Sequence, residues 1–240
     1  MLKNSISVIF LILITQFSYA QHTIDIKHTY YTMQFDTMQS TELLGYYIQT
    51  TAHSTSTFKT PRTGKYSRFT VDPLLEGRVT ANDKQYISWN KANPDSKRDR
   101  GHINPFSAFN FTEDAALESM YYSNTAPQAS YFNEHQWQAV EQYIMKLSRG
   151  SKTTEPIDSI KVWTGVLIST THPKKMNDVF EPDYYWKVIS YTKHGEPVTE
   201  SWLGVNESNN RITDPDAIKI DLAYVKELIL KYYPLLQLEF

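Results

Sequence analysis

The sequence predicts an α+β fold, on two observations. β-prone stretches and segments with helical spacing are interleaved along the chain, and no regular strand–helix–strand alternation runs through them. Tyr30-Tyr31-Thr32-Met33-Gln34-Phe35 and Leu43 to Thr50 are rich in aromatic and β-branched residues and read as strands. Residues 51–65 are polar and turn-prone and read as a loop. Lys161 to Ile168 reads as a buried strand interrupted by Gly165, and Tyr184 to Tyr191 as a further strand. Over Glu134 to Leu147 the apolar residues Trp137, Val140, Ile144 and Leu147 recur at three- and four-residue steps, which predicts a helix. Leu222, Val225, Leu228 and Ile229 predict another over Asp221 to Tyr232.

Composition narrows the possibilities. A chain of 240 residues with 40% hydrophobic residues has room for one substantial core. A mean hydropathy of -0.48 argues against a polytopic membrane protein, and 17 Tyr with 11 Phe argue against wholesale disorder. The sequence has no cysteine, so it offers no disulfide, no thiolate metal site and no cysteine nucleophile.

Residues 1–20 read as a signal peptide. Lys3 supplies the positive start, Ile6 to Ile14 is apolar except for Ser7, and Ser18-Tyr19-Ala20 places small residues before a cut after Ala20. The apolar run is well short of the ~20 residues a membrane span requires. The expectation is an exported protein, periplasmic or extracellular, with no membrane attachment after cleavage. Residues 21–240 read as one domain, since no repeat or Pro/Gly/Ser-rich linker divides them.

Chemistry-bearing residues concentrate between 68 and 141. In Asp99-Arg100-Gly101-His102, a neutral imidazole can take a proton from water, Arg100 offers a planar fork to two phosphate oxygens, and Asp99 can orient a neighbour. Gly101 permits either an unusual backbone conformation or a close approach. Taken alone, the four residues fit an exposed polar loop with an incidental histidine better than a site. Downstream, Tyr122 to Gln128 reads as a polar turn leading to Asn133 near the start of the predicted helix, with Glu141 eight residues later. In an α-helix such a step keeps both side chains on one side, separated by about 12 Å of rise. Asn133 as a direct oxygen ligand and Glu141 acting through water is the arrangement that fits one ion. A hard cation that retains its waters, Mg²⁺ with Mn²⁺ as substitute, suits that donor set better than zinc.

These motifs, with Ser123-Asn124-x-x-Pro127-Gln128 and Phe132-Asn133-x-x-x-Trp137, resemble the DNA/RNA non-specific endonucleases. Weaker similarity extends to Tyr30–Thr50, to Arg68-Phe69-x-x-Asp72-Pro73 and to Val162-Trp163-Thr164-Gly165. The resemblance implies a ββα-metal nuclease fold with a central, mostly antiparallel sheet flanked by helices. It implies His102 as general base, Asn133 as the direct Mg²⁺ ligand, Glu141 holding metal-associated water, and Asn124 supporting the histidine. It also implies that Arg100 contacts phosphate or supports the fold. The family's catalytic arginine matches Arg68 only with a one-residue offset, because Ser67 stands at the usual position; Arg62 is the nearby substitute. The implied substrate is DNA and RNA, contacted through backbone phosphates with little sequence preference. A homodimer and an inhibitor protein stay open as partners.

Two other readings compete. One is a phosphodiesterase acting on smaller substrates at the same site, and the other is an inactive nucleic-acid-binding or adhesive protein. Net charge is -2, but residues 59–100 hold ten Lys/Arg against five acids, a basic segment that suits phosphates if it folds beside His102. His135 reads as a surface helix residue. Asn206-Glu207-Ser208 reads as a turn that also matches a glycosylation acceptor.

Overall fold

In the computed structural model, which describes residues 22–75, 77–78, 81–207 and 212–240, two apolar faces of one sheet determine where the other elements sit. The expected signal peptide lies outside the described residues. The strands in chain order are β1 (Thr23–Lys27), β2 (Thr32–Asp36), β3 (Thr41–Thr50), β4 (Arg98–His102), β5 (Thr125–Ala129), β6 (Ser159–Leu167), β7 (Lys174–Met176), β8 (Val179–Glu181), β9 (Tyr184–Lys193) and β10 (Glu196–Val205). Six of them form an antiparallel sheet in the order β1-β2-β3-β6-β9-β10. The helices are α1 (Thr51–Thr55), α2 (Asp83–Ala92), α3 (Phe106–Phe109), α4 (Glu113–Glu118), α5 (Gln138–Arg149) and α6 (Leu222–Tyr232).

Alternation along the central strands explains the layering. Val162 and Ile189 point to one face and pack with Val140 and Ile144 of α5, whereas Trp163 and Val188 point to the other and pack with Val225 and Ile229 of α6. Both faces are covered, so these strands read as nearly continuous apolar runs. Gly165 sits where neighbours crowd the strand: a Cβ there would lie 2.1 Å from the Leu43 carbonyl oxygen and 2.7 Å from the Trp186 ring. That close approach accounts for the glycine inside the predicted strand.

The structure departs from the sequence expectations in several places. The strand expected from Tyr30 begins at Thr32. Residues 51–65 are not all loop, because Thr50 caps α1 by accepting from the His53 N–H. The expected turn at Tyr122–Gln128 is half strand: Tyr122–Asn124 is a 3₁₀ turn, and β5 follows with all its residues buried. Strands β1 and β10 and helices α2, α3 and α4 are too short or too polar to stand out by periodicity.

The ribbon formed by β4 and β5 stands apart from the large sheet and carries the Asp99-Arg100-Gly101-His102 motif. Its inner side packs through Ile103, Ala126 and Ala129 onto Phe132, Trp137 and Tyr185. The Tyr185 hydroxyl donates to the Ala126 carbonyl at 3.0 Å and the Thr164 hydroxyl to the Ile103 carbonyl at 3.1 Å, fastening the ribbon to the sheet. Its bare edges are closed by side-chain amides. Asn90 of α2 accepts from the Arg98 N–H at 2.8 Å and donates to the Arg98 carbonyl at 2.9 Å. Asn206 accepts from the Ala129 N–H at 2.8 Å and donates to the Pro127 and Pro182 carbonyls, both at 2.9 Å. Because Asn206 is wholly buried by these bonds, its amide is not the exposed glycosylation acceptor that the tripeptide pattern suggested.

Asp72 ties the front of the molecule together. It accepts from Ser123 Oγ at 2.5 Å and from the Leu74 N–H at 2.9 Å, and His28 Nε2 lies 3.1 Å away. Burial by itself raises this carboxyl, but the contacts from His28, Ser123 and Leu74 outweigh it and hold it below the ordinary value.

Two stability predictions follow from these bonds. Asn206→Ala leaves three buried backbone groups without partners and should lower unfolding free energy by at least about 3 kcal/mol in chemical denaturation; a loss under about 1 kcal/mol would refute the edge-closing role. A carboxyl held low stabilises the fold above the unfolded value near ~3.9, and the benefit fades as pH falls through the folded value. Asp72→Asn should therefore cost about 2 kcal/mol at neutral pH, with the gap to wild type narrowing below about pH 4. A gap that stays constant down to pH 3 would show that the charge is not what matters.

Candidate active site

Beyond β5 the chain enters a π-helical turn, Phe132–Trp137, that runs directly into α5. The Gln138 N–H donates to the Asn133 carbonyl, the five-residue step that defines the wider turn. The helical arithmetic applied to the sequence assumed a regular α-helix through Asn133, so both the rotation and the 12 Å rise are altered at the first six residues. Asn133 and Glu141 nevertheless line the same cleft. Two strands of the ribbon followed by this helix make a ββα unit, with the cleft of about 1130 Å³ on its outer side. The cleft lining carries six lysines and arginines against three acids, four of the six drawn from the basic segment 59–100.

His102 ends β4 at the floor of this cleft. It is 8% exposed, its Nε2 has no hydrogen-bond partner, and its ring lies 5.0 Å from that of Phe69. Burial, then the charges of Arg62 and Arg100, push its pKa well below the ordinary histidine value. That shift favours the neutral imidazole. Gly101, next to it, is required by close approach: a Cβ would lie 2.2 Å from Gln128 Oε1 and 2.5 Å from Gln128 Cβ.

Asp99 settles the orientation of Asn133. Its Oδ1 accepts from Ser130 Oγ and its Oδ2 from Asn133 Nδ2, both at 2.8 Å. With the amide nitrogen committed to the carboxylate, the Asn133 carbonyl oxygen is the group left for a ligand in the cleft. Glu141 is half-buried opposite. Burial raises its carboxyl pKa, and the charges of Lys187 and Arg62 oppose the rise. An amide oxygen and a carboxylate are hard oxygen donors, so the residues present fit a divalent cation such as Mg²⁺.

The arginines divide in an informative way. Arg100 lines the cleft, is ion-paired with Asp83 of α2, and sits over the Phe69 ring at 5.2 Å. Arg62 also lines it, with its guanidinium 5.9 Å from the Phe69 ring and 5.7 Å from that of Phe106. Arg68 is exposed and lies outside the lining, whereas its neighbour Ser67 is part of it. The one-residue offset thus turns Arg68 away, and Arg62 enters from the preceding loop. Asn124 is fully buried and does not reach the cleft. Its Oδ1 accepts from the Asn104 N–H at 2.8 Å, and its Nδ2 donates to the Asn104 and Ser119 carbonyls at 2.9 and 2.8 Å. It holds the turn that leaves His102 and touches nothing in the cleft. His135 Nδ1 lies 3.1 Å from the Tyr131 carbonyl oxygen, and the residue is not part of the lining.

Sequence reading missed Lys187, a fully buried lysine of β9 beneath Glu141. Its Nζ donates to Thr164 Oγ1 at 2.9 Å and lies 5.1 Å from the Trp137 ring. Burial lowers its pKa against the pull of Glu141 and Glu42. The available signal was a single charge inside the apolar run Tyr184-Tyr185-Trp186-Lys187-Val188-Ile189.

Comparison with known proteins bears on the family and the fold. A mitochondrial nuclease of Mus musculus, EXOG, is 29% identical over 132 residues, which is 55% of this chain and 30% of that protein. The chain therefore spans less than a third of the length of that relative in the matched region. A crystal structure of the EndoG/EndoGI complex, concerned with the mechanism of EndoG inhibition, matches with a TM-score of 0.69 at 18% identity, covering 89% of this chain and 84% of that one. At that identity the likeness is one of fold, the ββα-metal nuclease fold. The model of the DNA/RNA non-specific endonuclease family matches residues 12–227, nearly the whole chain, and the protein belongs to that family.

Proposed function

We propose that this protein is an exported, Mg²⁺-dependent endonuclease that hydrolyses phosphodiester bonds of DNA and RNA with little sequence preference. The observation that carries the reading is the pairing of a buried, neutral His102, whose Nε2 is unpartnered, with an Asn133 amide that Asp99 fixes at the same cleft. Export rests on the pattern of residues 1–20.

In this reading the neutral His102 imidazole takes the proton of the attacking water. Asn133, through its carbonyl oxygen, and Glu141 would hold the divalent cation. Bound there, the cation supplies Lewis-acid stabilisation of charge on the phosphate and on the leaving oxygen. Asp99 keeps the Asn133 amide from rotating, so the cleft is pre-organised before substrate arrives. Arg100, steadied by Asp83, and Arg62, over Phe69 and Phe106, offer guanidinium forks to the phosphate oxygens. Contacts of this kind read the backbone and carry no base information.

The deciding experiment is cleavage of plasmid DNA and of RNA by purified protein with Mg²⁺ and with EDTA. Cleavage that EDTA abolishes is expected, and His102→Ala should reduce it by about 10²–10⁴-fold with unchanged thermal stability. Intact substrate at stoichiometric wild-type enzyme would sink the proposal. The arginine assignment has its own test. Arg62→Ala should lower kcat by about 100-fold, the scale of a lost transition-state donor, while Arg68→Ala stays within about threefold; the reverse ranking would return the role to Arg68.

A further inference from the structure

We propose that the far end of the cleft, where Lys59, Lys146 and Arg149 converge, is a second phosphate subsite. It would grip the backbone of the same nucleic-acid strand a few nucleotides away from the bond being cut. This inference rests on the endonuclease reading above and makes it more specific, because a small diester would not reach this subsite.

The cleft does not end at the catalytic residues. It continues along α5 past Gln142 and Met145 to Lys146 and Arg149 in the last turn, and Lys59 joins them from the loop after α1. Helix ends attract basic residues, which accounts for Lys146 and Arg149 but not for Lys59. Lys59 is instead brought there by a separate set of bonds. Its Nζ donates to the Asn110 carbonyl at 3.1 Å and to the His53 carbonyl at 3.5 Å. Its neighbour Thr60 is bracketed by the Asn110 side chain, which accepts from the Thr60 N–H at 3.0 Å and donates to the Thr60 carbonyl at 3.1 Å. The His53 ring stacks on Phe111 at 3.8 Å, and Ser54 is hydrogen-bonded to Ser148 of α5 at 3.1 Å. The loop is thereby clamped so that its lysine faces the last turn of α5, which carries Lys146 and Arg149.

The charges there are unbalanced. Among the described residues none of Lys59, Lys146 and Arg149 forms an ion pair with a carboxylate, whereas Lys65, Arg98 and Arg100 of the basic segment each do. Burial first, and the Arg149 charge second, depress the Lys59 pKa. Three exposed cations with no carboxylate partner are available to an anion, and a phosphodiester backbone supplies one.

Spacing fits the same strand. From Glu141 to Arg149 the helix rises about 12 Å, which is about three to four nucleotides at the ~3.4 Å rise of a B-form strand. The cleft therefore matches a polynucleotide lying along α5, with the reacting phosphate at one end and a gripped phosphate at the other.

The test compares wild type with Lys59→Gln/Lys146→Gln/Arg149→Gln on oligonucleotides of two to twelve nucleotides and on bis(p-nitrophenyl) phosphate. Wild-type kcat/KM should climb with length until the subsite is filled, through KM, and then level off. The triple variant should lose most of that climb, at least tenfold on the longest oligonucleotide. Its salt dependence of polymer binding should be shallower by about 0.7–0.9 in the log–log slope, the share of one lost phosphate contact. Its turnover of the small diester should stay within about twofold, which separates the subsite from the catalytic centre. Unchanged length dependence and salt slope would overturn the subsite while leaving the endonuclease reading intact. Equal loss on small and long substrates would overturn it too, as a general defect of the fold. Absence of any diester hydrolysis in the wild type would instead remove the endonuclease reading.

Discussion

A two-stranded ribbon has two bare edges, and this molecule's chemistry depends on how they are closed. β4 carries Asp99, Arg100 and His102, yet it pairs only with β5, so each strand leaves backbone donors and acceptors without a strand neighbour. Left open in a protein interior, such groups cost about 1–3 kcal/mol each. Asn90 and Asn206 close the two edges, and Asn124 closes the turn that leaves His102. An amide side chain offers the donor and acceptor pair of a peptide group without requiring another strand. The ribbon can therefore lie over a dry aromatic platform of Phe132, Trp137 and Tyr185 while its outer face stays open to a ligand.

The electrostatics of the site follow from that platform. Burial keeps the His102 imidazole neutral, and two arginines beside it reinforce the effect. The same burial raises Glu141 and lowers Lys187, two groups that face each other across the helix and sheet. Both Asp99 oxygens accept hydrogen bonds, one from Ser130 and one from Asn133, and the second fixes the Asn133 amide. His102, Asn133 and the guanidinium groups of Arg62 and Arg100 thus share one cleft. Lys59, Lys146 and Arg149 line the end of the same cleft, along α5.

Much of this was legible in the residues. The two-face burial of β6 and β9 shows in apolar runs that a period-two pattern cannot explain, and α5 and α6 show in their three- and four-residue steps. The motif types also announced their chemistry. Less visible was the state of each polar residue. Asn124 and Asn133 are the same amino acid in neighbouring motifs, yet one is sealed inside a turn and the other lines the cleft. Asn206 lies in a tripeptide that matches a surface signal and is instead fully buried. Composition assigns these residues no partner; only the packing of distant strands does.

The sequence by itself determined the class of fold, the covered sheet and the set of groups that can do chemistry, because periodicity and residue type are local properties. Tertiary structure decided which groups meet. It turned Arg68 outward and brought Arg62 in, since a one-residue offset in a loop redirects a long side chain entirely. It inserted a π turn at Asn133, sank Lys187 beneath Glu141, and carried Lys59 across to the end of α5. The π turn is a local feature, but the placement of Lys59 depends on contacts 51 positions apart, to Asn110, and 94 apart, between Ser54 and Ser148, which a short window of sequence does not contain.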